Sequence, residues 1–148
     1  MRKILGLVSM VVLLAGCSNT MSPLEGCEIL AEMDATAEEI IWATGENLSN
    51  YPSPGAQDIA KQRVLNDSML ELSMLASSLA IQDRTLMSLS REISSNYEGL
   101  ASSFRVLERS DFGSSEIDAF RRGIARFDSA DTDSMAKLRI TCRNLVER

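Results

Sequence analysis

Helical spacing dominates the pattern of apolar and polar positions along this chain. Apolar or small side chains recur every three or four residues over 24–49, again over 56–109, and again over 114–145. That spacing gives each helix one apolar stripe that can face a core. No segment alternates with period two for long enough to predict a strand. The pattern therefore predicts an all-α protein.

Two loops separate these regions. Residues 50–55, Asn-Tyr-Pro-Ser-Pro-Gly, form the clearest one, and residues 110–113, Ser-Asp-Phe-Gly, form the second. Taken as one helix, residues 56–109 would extend for about 80 Å, which does not suit a compact domain. We therefore predict a turn near residues 82–85.

The boundaries of the predicted helices follow from these breaks and from capping signals. Ser22 and Pro23 suit a helix start, as N-cap and first position. The capping-box sequences at Ser68–Glu71 and Ser95–Glu98 compete with the turn at 82–85 as places where a helix begins. The last helix is expected to begin near Ser114 or Ser115, with a kink or break at residues 128–133. The predicted helices span 24–49, 55–81, 84–109 and 114–145.

Within the first helix the predicted apolar stripe is interrupted once. The interruption is Asp34, and the stripe consists of Cys27, Leu30, Ala37, Ile41, Thr44 and Leu48. Trp42 lies beside this stripe. It is expected either to pack onto a second neighbouring helix or to serve as an exposed contact for a partner, since tryptophan is enriched at interface hot spots. Tyr51, on the proline-rich loop, is a second candidate for partner contact.

The N-terminus has the features of an export signal. Arg2 and Lys3 precede an apolar run over residues 4–14, and small residues follow. The run is too short for a spanning helix of about 20 residues. Its ending, Leu14-Ala15-Gly16-Cys17, resembles the lipobox of bacterial lipoproteins. An ordinary cleaved signal followed by a stray cysteine is the alternative.

The resemblance to lipoproteins implies a processed and acylated chain. Residues 1–16 would be the signal peptide, residues 17–23 a lipidated tether beginning at Cys17, and residues 24–148 the helical domain. Two or three acyl chains suffice for stable membrane anchoring. Ser18 after the acylated cysteine implies sorting to the outer membrane in a diderm bacterium. In a monoderm the protein would face outward from the plasma membrane.

Composition narrows the function classes. Processing leaves 132 of the 148 residues, with 13 Lys and Arg against 21 Asp and Glu, a net charge of about −8. So acidic a chain is not expected to bind nucleic acid. Histidine is absent, which excludes Ser-His-Asp and Cys-His sites and zinc sites that use imidazole. We expect no metal, no cofactor and no enzymatic activity.

Two groups of acids are candidates for sites. Asp128, Asp131 and Asp133 lack the glycine and the glutamate of a calcium loop, and are expected to form a polar turn. Glu28, Glu32 and Glu39 share a face of the first helix, where acid–base work would require divergent pKa values. They are expected to be ordinary solvated charges.

The cysteines predict the topology. With Cys17 assigned to lipid, Cys27 and Cys142 form an even pair in an oxidising compartment. A disulfide between them is the simplest interpretation, with intermolecular bridging or two free thiols as alternatives. A disulfide requires Cα atoms within about 7 Å. Only an even number of long helices brings these two positions together, which predicts an antiparallel four-helix bundle.

Pairing Cys27 with Cys142 also predicts contacts between the first and last helices. The register places Ile41 near Phe127 and Leu30 near Leu138. Residues 25–50 carry seven acids and no base, whereas the last helix carries six bases. We therefore expect Glu28 to reach Arg139 or Arg143 and Glu32 to reach Lys137. In the same register Glu38 faces Asp131, which leaves two acids opposed without explanation.

The expected function is a non-catalytic interaction or structural module, anchored to the membrane through its lipid and bound to another envelope protein. The alternative is a carrier of a small apolar ligand between the helices. Several methionines favour that alternative, because thioethers pack adaptably and line promiscuous pockets; they are Met33, Met69, Met74, Met87 and Met135.

Overall fold

The structure, a computed structural model, describes residues 20–50, 58–109 and 113–147, without the side chains of residues 48–50. Four helices make up almost all of this part of the chain: α1 (Pro23–Asn50), α2 (Ile59–Ser78), α3 (Arg84–Phe104) and α4 (Ser114–Val146). A 3₁₀ turn, Arg105–Glu108, extends α3. Within these residues, Met21 and Ile81 form one isolated parallel β-bridge.

The first helix begins where its capping residues predict. The Ser22 N–H donates to Glu25 Oε2 over 2.8 Å, and the Glu25 N–H donates to Ser22 Oγ over 3.3 Å. This reciprocal pair satisfies two of the free N–H groups at the helix start. It also holds the pKa of Glu25 below its usual value, mainly through the hydrogen bond from the Ser22 backbone.

The break between α2 and α3 lies within a few residues of its predicted position. Residues 79–83 connect the two helices, and Asp83 Oδ1 accepts from the Thr85 and Leu86 N–H groups at 2.9 and 3.0 Å. The competing helix starts at Ser68 and Ser95 are wrong, because both serines lie inside helices. Ser68 Oγ donates to the Val64 carbonyl one turn earlier instead of capping an N-terminus.

The last helix begins at Ser114 as predicted and runs through residues 128–133 without a break. The predicted break and polar turn there are therefore wrong. Helix-spaced partners hold the polar side chains of this stretch: Lys137 Nζ lies 2.6 Å from Asp133 Oδ2, and Ser134 Oγ donates to the Ala130 carbonyl over 3.0 Å. These contacts are compatible with continuous helix, so the aspartates do not end it.

The apolar residues at helical spacing in the second and third helices are all buried as predicted: Leu65, Met69, Leu72, Ala76, Leu79, Leu86, Ile93, Tyr97, Leu100, Phe104 and Leu107. In α4 four large apolar residues of the stripe are buried and three are partly buried: Phe120, Phe127, Met135 and Leu138, and Ile117, Ile124 and Leu145. The rings of Tyr97 and Phe127 lie 6.2 Å apart between their centroids, and those of Phe104 and Phe120 lie 5.6 Å apart. Aromatic pairs thus join α3 to α4 across the core.

The buried stripe of α1 differs in part from the predicted one, of which three residues are fully buried: Leu30, Ala37 and Thr44. Ile40 and Met33 are buried, whereas Ile41 is only partly buried. The physical reason is that α1 contacts α2 and α3 as well as α4. The prediction considered only the contact of this helix with the last helix. The face that is buried against all three neighbours is therefore centred about one residue away from the predicted stripe. The side chain of Leu48 lies outside the described residues.

The disulfide and the four-helix architecture are confirmed. Cys27 and Cys142 are bonded, with Cα atoms 6.0 Å apart, and join the start of α1 to the end of α4. Each helix packs against the next, and α4 packs against α1. Small side chains allow close contacts between neighbours, since the Ser73 and Ser94 hydroxyls lie 3.1 Å apart and Gly123 packs against Ser103.

Candidate functional site

The outward side of α1 carries the residue that stands out most on the described surface. The Trp42 side chain is 72% exposed, so the predicted packing of this indole onto a second helix is wrong. Three acids surround it at helical spacing: Glu38, Glu39 and Glu46. We call these four residues the Trp42 face.

Few bases neutralise this face. Glu46 has a distant partner on α2, with its Oε2 4.0 Å from Lys61 Nζ. Within the described chain no ion pair reaches Glu38 or Glu39, nor Glu28 or Glu32 nearer the start of the helix. The predicted pair of Glu28 with Arg139 or Arg143 is therefore wrong.

Lys137 illustrates why the predicted pairing failed. Its ammonium group lies 2.8 Å from Glu92 Oε1 on α3 and 2.6 Å from Asp133 Oδ2 on its own helix. These bonds raise the pKa of Lys137 to about 12, the one to Asp133 contributing most. The predicted pair with Glu32 is wrong because α3 and α4 satisfy this base, which leaves the acids of α1 facing solvent.

A second cluster joins three helices beneath the surface. Asp34 of α1 and Asp131 of α4 lie within hydrogen-bonding reach of each other, and both are partly buried. Tyr97 of α3 is fully buried and feels the charge of both carboxyl groups. Asp34 Oδ1, Asp131 Oδ1 and the Tyr97 hydroxyl have no hydrogen-bond partner among the described residues.

The electrostatics of this cluster favour a protonated carboxyl group. Burial raises the pKa of Asp131 to about 7, and the charge of Asp34, their mutual hydrogen bond, Glu38 and Asp128 act in the same direction. Burial also raises the pKa of Tyr97, so the phenol stays neutral. A proton on Asp131 supplies the hydrogen-bond donor that two carboxylates lack. A protonated Asp131 carries no charge, which explains why it can lie opposite Glu38, as the predicted register places it.

Of the candidate acids in the sequence, Asp131 belongs to this carboxyl pair, whereas another group takes no part in it: Glu28, Glu32 and Glu39. Those three are exposed, as expected of solvated charges. The sequence does carry a signal for Asp34, because it occupies an inward position that breaks an apolar stripe. The residues that the structure describes contain no group of three His, Cys, Asp or Glu able to hold a metal ion.

A groove between α3 and α4 bears on the carrier hypothesis. Its volume is about 330 Å³, and it is open to solvent along much of its length. Small and polar side chains form most of its wall, together with Arg126 and the edge of Phe127. The methionines that favoured a ligand pocket lie in different places. Met33, Met69 and Met135 are buried in the core, whereas Met74 is exposed. The groove therefore presents both polar and apolar surface, whereas sites for apolar ligands are usually enclosed and predominantly apolar.

The N-terminal residues are part of the fold from Thr20 onward. The Met21 N–H donates to the Ala80 carbonyl over 2.8 Å, and the Gln82 N–H donates to the Met21 carbonyl over 3.1 Å. Gln82 Nε2 also lies 3.4 Å from Thr20 Oγ1. Part of the predicted tether, residues 20–22, is thereby bound to the connection between α2 and α3.

Two of the predicted site residues, Cys17 and Tyr51, lie outside the described residues. None of the helices among the described residues has the length and apolarity needed to cross a membrane. No protein-family model, curated protein or solved structure matches the chain.

Proposed function

We propose that the protein is a cell-envelope lipoprotein, held at a membrane by acyl groups on Cys17, whose helical bundle binds another envelope protein. The role is that of a non-catalytic interaction module. The sequence Leu14-Ala15-Gly16-Cys17 supports the acylation. In a diderm bacterium Ser18 favours the periplasmic face of the outer membrane, and in a monoderm the protein lies on the outer face of the plasma membrane.

The observation that carries this proposal is the exposure of Trp42. An indole is the largest apolar side chain, and leaving it in water forgoes the stabilisation of burying some 150–250 Å². A partner that covers it recovers that free energy. Tryptophan is accordingly enriched among the few residues that dominate binding at protein interfaces.

The charges around Trp42 define the chemistry of the partner. Glu38 and Glu39 flank the indole without ion pairs to any described base, and Glu46 has only a distant one. We therefore expect a partner surface that carries arginine or lysine around an apolar recess. An arginine can stack on the indole while it neutralises a neighbouring glutamate. Salt will weaken such a complex, because the charges are near the surface.

The direct test is photo-crosslinking in intact cells. A photoreactive amino acid replaces Trp42 in one strain and Val64 in another, since Val64 is also an exposed apolar residue but lies on α2. We expect a discrete adduct with one envelope protein from position 42 and none from position 64. Equal crosslinking from both positions, or none from position 42, would contradict the proposal.

Replacing Trp42 by alanine should separate binding from stability. We expect the free energy of unfolding to change by no more than about 0.5 kcal/mol, because the side chain is exposed. Affinity for the partner identified by crosslinking should fall by about 2 kcal/mol, or roughly 30-fold. Val64→Ala is the matched control and should leave affinity unchanged. Calorimetric titration measures the affinity and urea denaturation measures the stability.

Anchoring is tested independently of the partner. The N-terminal peptide of protein purified from cell membranes should begin at Cys17 and carry the mass of a diacylglyceryl group. Cys17→Ala should move the protein from the detergent phase to the aqueous phase of a detergent phase separation. An unmodified N-terminal peptide in membrane-derived protein would overturn the anchoring part of the proposal.

A further inference from the structure

One end of the bundle differs from the rest in the exposure of its apolar side chains. It is formed by the start of α1, the end of α2 with the connection 79–83, the start of α3 and the end of α4, and we call it the N-terminal pole. The disulfide between Cys27 and Cys142 lies one turn inside it. Thr20, the first described residue, is bound here to Gln82.

Exposed apolar side chains gather at this pole. Large apolar residues are exposed at six described positions, and four of them lie within about 9 Å of the helix ends at the pole, at 1.5 Å of rise per residue. These four are Leu24, Met74, Ile140 and Val146. Leu24 is 49% exposed and Val146 is 72% exposed. The remaining two, Trp42 and Val64, lie about 28 and 21 Å away along their helices.

The charge of the pole is close to zero, although the molecule is strongly acidic. Residues 20–30, 71–91 and 139–147 contain five acids and four bases, whereas the remainder of the mature chain contains sixteen acids and nine bases. The bases of the pole are Arg84, Arg91, Arg139 and Arg143. Because its net charge is small, anionic lipid headgroups repel this pole only weakly.

Chain length brings the pole to the membrane if Cys17 is acylated as proposed. Three peptide units separate Cys17 from Thr20, and a fully extended chain spans at most about 3.6 Å per residue. Thr20 therefore lies within roughly 11 Å of a residue held at the headgroups. The hydrogen bonds of Met21 to Ala80 and Gln82 prevent residues 20–22 from serving as a longer free tether.

We propose that the N-terminal pole rests on the bilayer surface, with Leu24 and Val146 inserted among the lipid headgroups and the helices standing away from the membrane. This inference rests on the proposed acylation of Cys17. An upright bundle holds Trp42 about 28 Å above the pole, at 1.5 Å per residue, where a partner protein can reach it.

Tryptophan fluorescence provides the test, because Trp42 is the only tryptophan in the chain. The full-length protein is expressed, and its processed, lipidated form is reconstituted in vesicles of phosphatidylethanolamine and phosphatidylglycerol, with and without bromine on the acyl chains. Three variants in a Trp42→Phe background move the indole: Leu24→Trp, Val146→Trp and the control Val64→Trp. Circular dichroism confirms that each is folded.

We expect brominated lipid to quench the indole at positions 24 and 146 and to leave positions 42 and 64 unquenched. Equal quenching at position 64 would mean that the bundle lies flat on the bilayer, and would overturn the proposal. Blue-shifted emission at positions 24 and 146 without bromine quenching would mean that a second copy of the chain covers the pole, and would also overturn it.

A second preparation separates this inference from the proposed acylation. Cys17 is the one cysteine outside the disulfide, so its thiol can be coupled to maleimide-bearing lipid in protein that a cell has not acylated. Quenching at positions 24 and 146 in this preparation supports the contact of the pole with the bilayer, even if native Cys17 proves unmodified. If this preparation shows no quenching while the native chain proves to be lipidated, the contact between the pole and the bilayer is refuted. The proposed anchoring through Cys17 then still stands.

Discussion

At the scale of single residues, the raised pKa of Asp131 beside Asp34 has the clearest chemical consequence. Two partly buried carboxyl groups on different helices can both remain in place when one of them is protonated. Full ionisation places two negative charges between α1 and α4, beside Glu38 and Asp128. The contact between these helices should therefore depend on pH.

The sign of that dependence follows from the direction of the pKa shift. The pKa of Asp131 rises from 3.8 in the unfolded chain to about 7 in the folded one. Between these values the folded state binds more protons, so the stabilisation is complete below about pH 4 and is lost as the pH rises to about 7. Since Asp131 is only half-buried, solvent screening reduces the effect to the order of 1–2 kcal/mol.

Replacing Asp131 by asparagine should remove most of this dependence. The amide carries no charge and can donate to Asp34, so the variant should be at least as stable as the natural protein at pH 8. Urea denaturation between pH 5 and pH 8 measures the slope. Asp67→Asn, on the exposed side of α2, is the control and should leave the slope of stability against pH unchanged. An unchanged slope in Asp131→Asn would refute the raised pKa of Asp131 in the folded protein.

At the scale of elements, α3 and α4 approach closely where Gly123 packs against Ser103. A Cβ atom on Gly123 would lie far inside van der Waals contact with the Cβ of Ser103, an overlap that no rotation of the serine side chain can relieve. The helices must therefore move apart to admit any side chain at this position. The contact gives a physical reason for a buried glycine inside a long helix, despite its low helix propensity.

Gly123→Ala should accordingly destabilise the bundle by about 1–3 kcal/mol, the usual effect of overpacking. Gly99→Ala is the matched control on α3, because nothing lies within 4 Å of the position that its Cβ atom would take. That change should stabilise the protein by about 0.5–1 kcal/mol through helix propensity. Adding Ser103→Gly to Gly123→Ala should restore part of the loss. Thermal and urea denaturation check all three, and an unaffected Gly123→Ala would contradict the close contact.

At the scale of the whole molecule, the disulfide closes the bundle at its N-terminal pole. It joins α1 to α4 across a sequence separation of 115. At the opposite end α1 is linked to α2 by the amide pair of Asn47 and Gln62, with a donor–acceptor distance of 3.3 Å, and by the distant ion pair of Glu46. These polar links are weak, and α1 packs less extensively against its neighbours than α3 does, so removing the disulfide should loosen α1 first.

Replacing both Cys27 and Cys142 by serine should reduce the free energy of unfolding by about 4–5 kcal/mol on the chain-entropy model, less any strain relieved. Urea denaturation of this double variant measures the loss. Hydrogen exchange should show earlier opening of α1 than of α3. Equal protection of both helices would contradict a loosely held α1. Reduction of the natural protein should reproduce the result.

The sequence by itself determined the helices, most of their stripes and the disulfide. Helical periodicity is local, so the stripes from Leu65 to Leu79 and from Leu86 to Leu107 are buried as predicted. The disulfide and the even number of helices followed from a covalent distance limit that Cys27 and Cys142 must satisfy. Such constraints hold whatever the exact rotation of each helix.

Only the tertiary structure decided which side chains meet across helices. The exposure of Trp42, the encounter of Asp34 with Asp131 and the choice of Glu92 by Lys137 all depend on small rotations and offsets of whole helices. Long charged side chains can reach several partners, so charge counts alone did not select one. The binding of Met21 to the connection after α2 was likewise invisible, because it uses backbone groups that every sequence possesses.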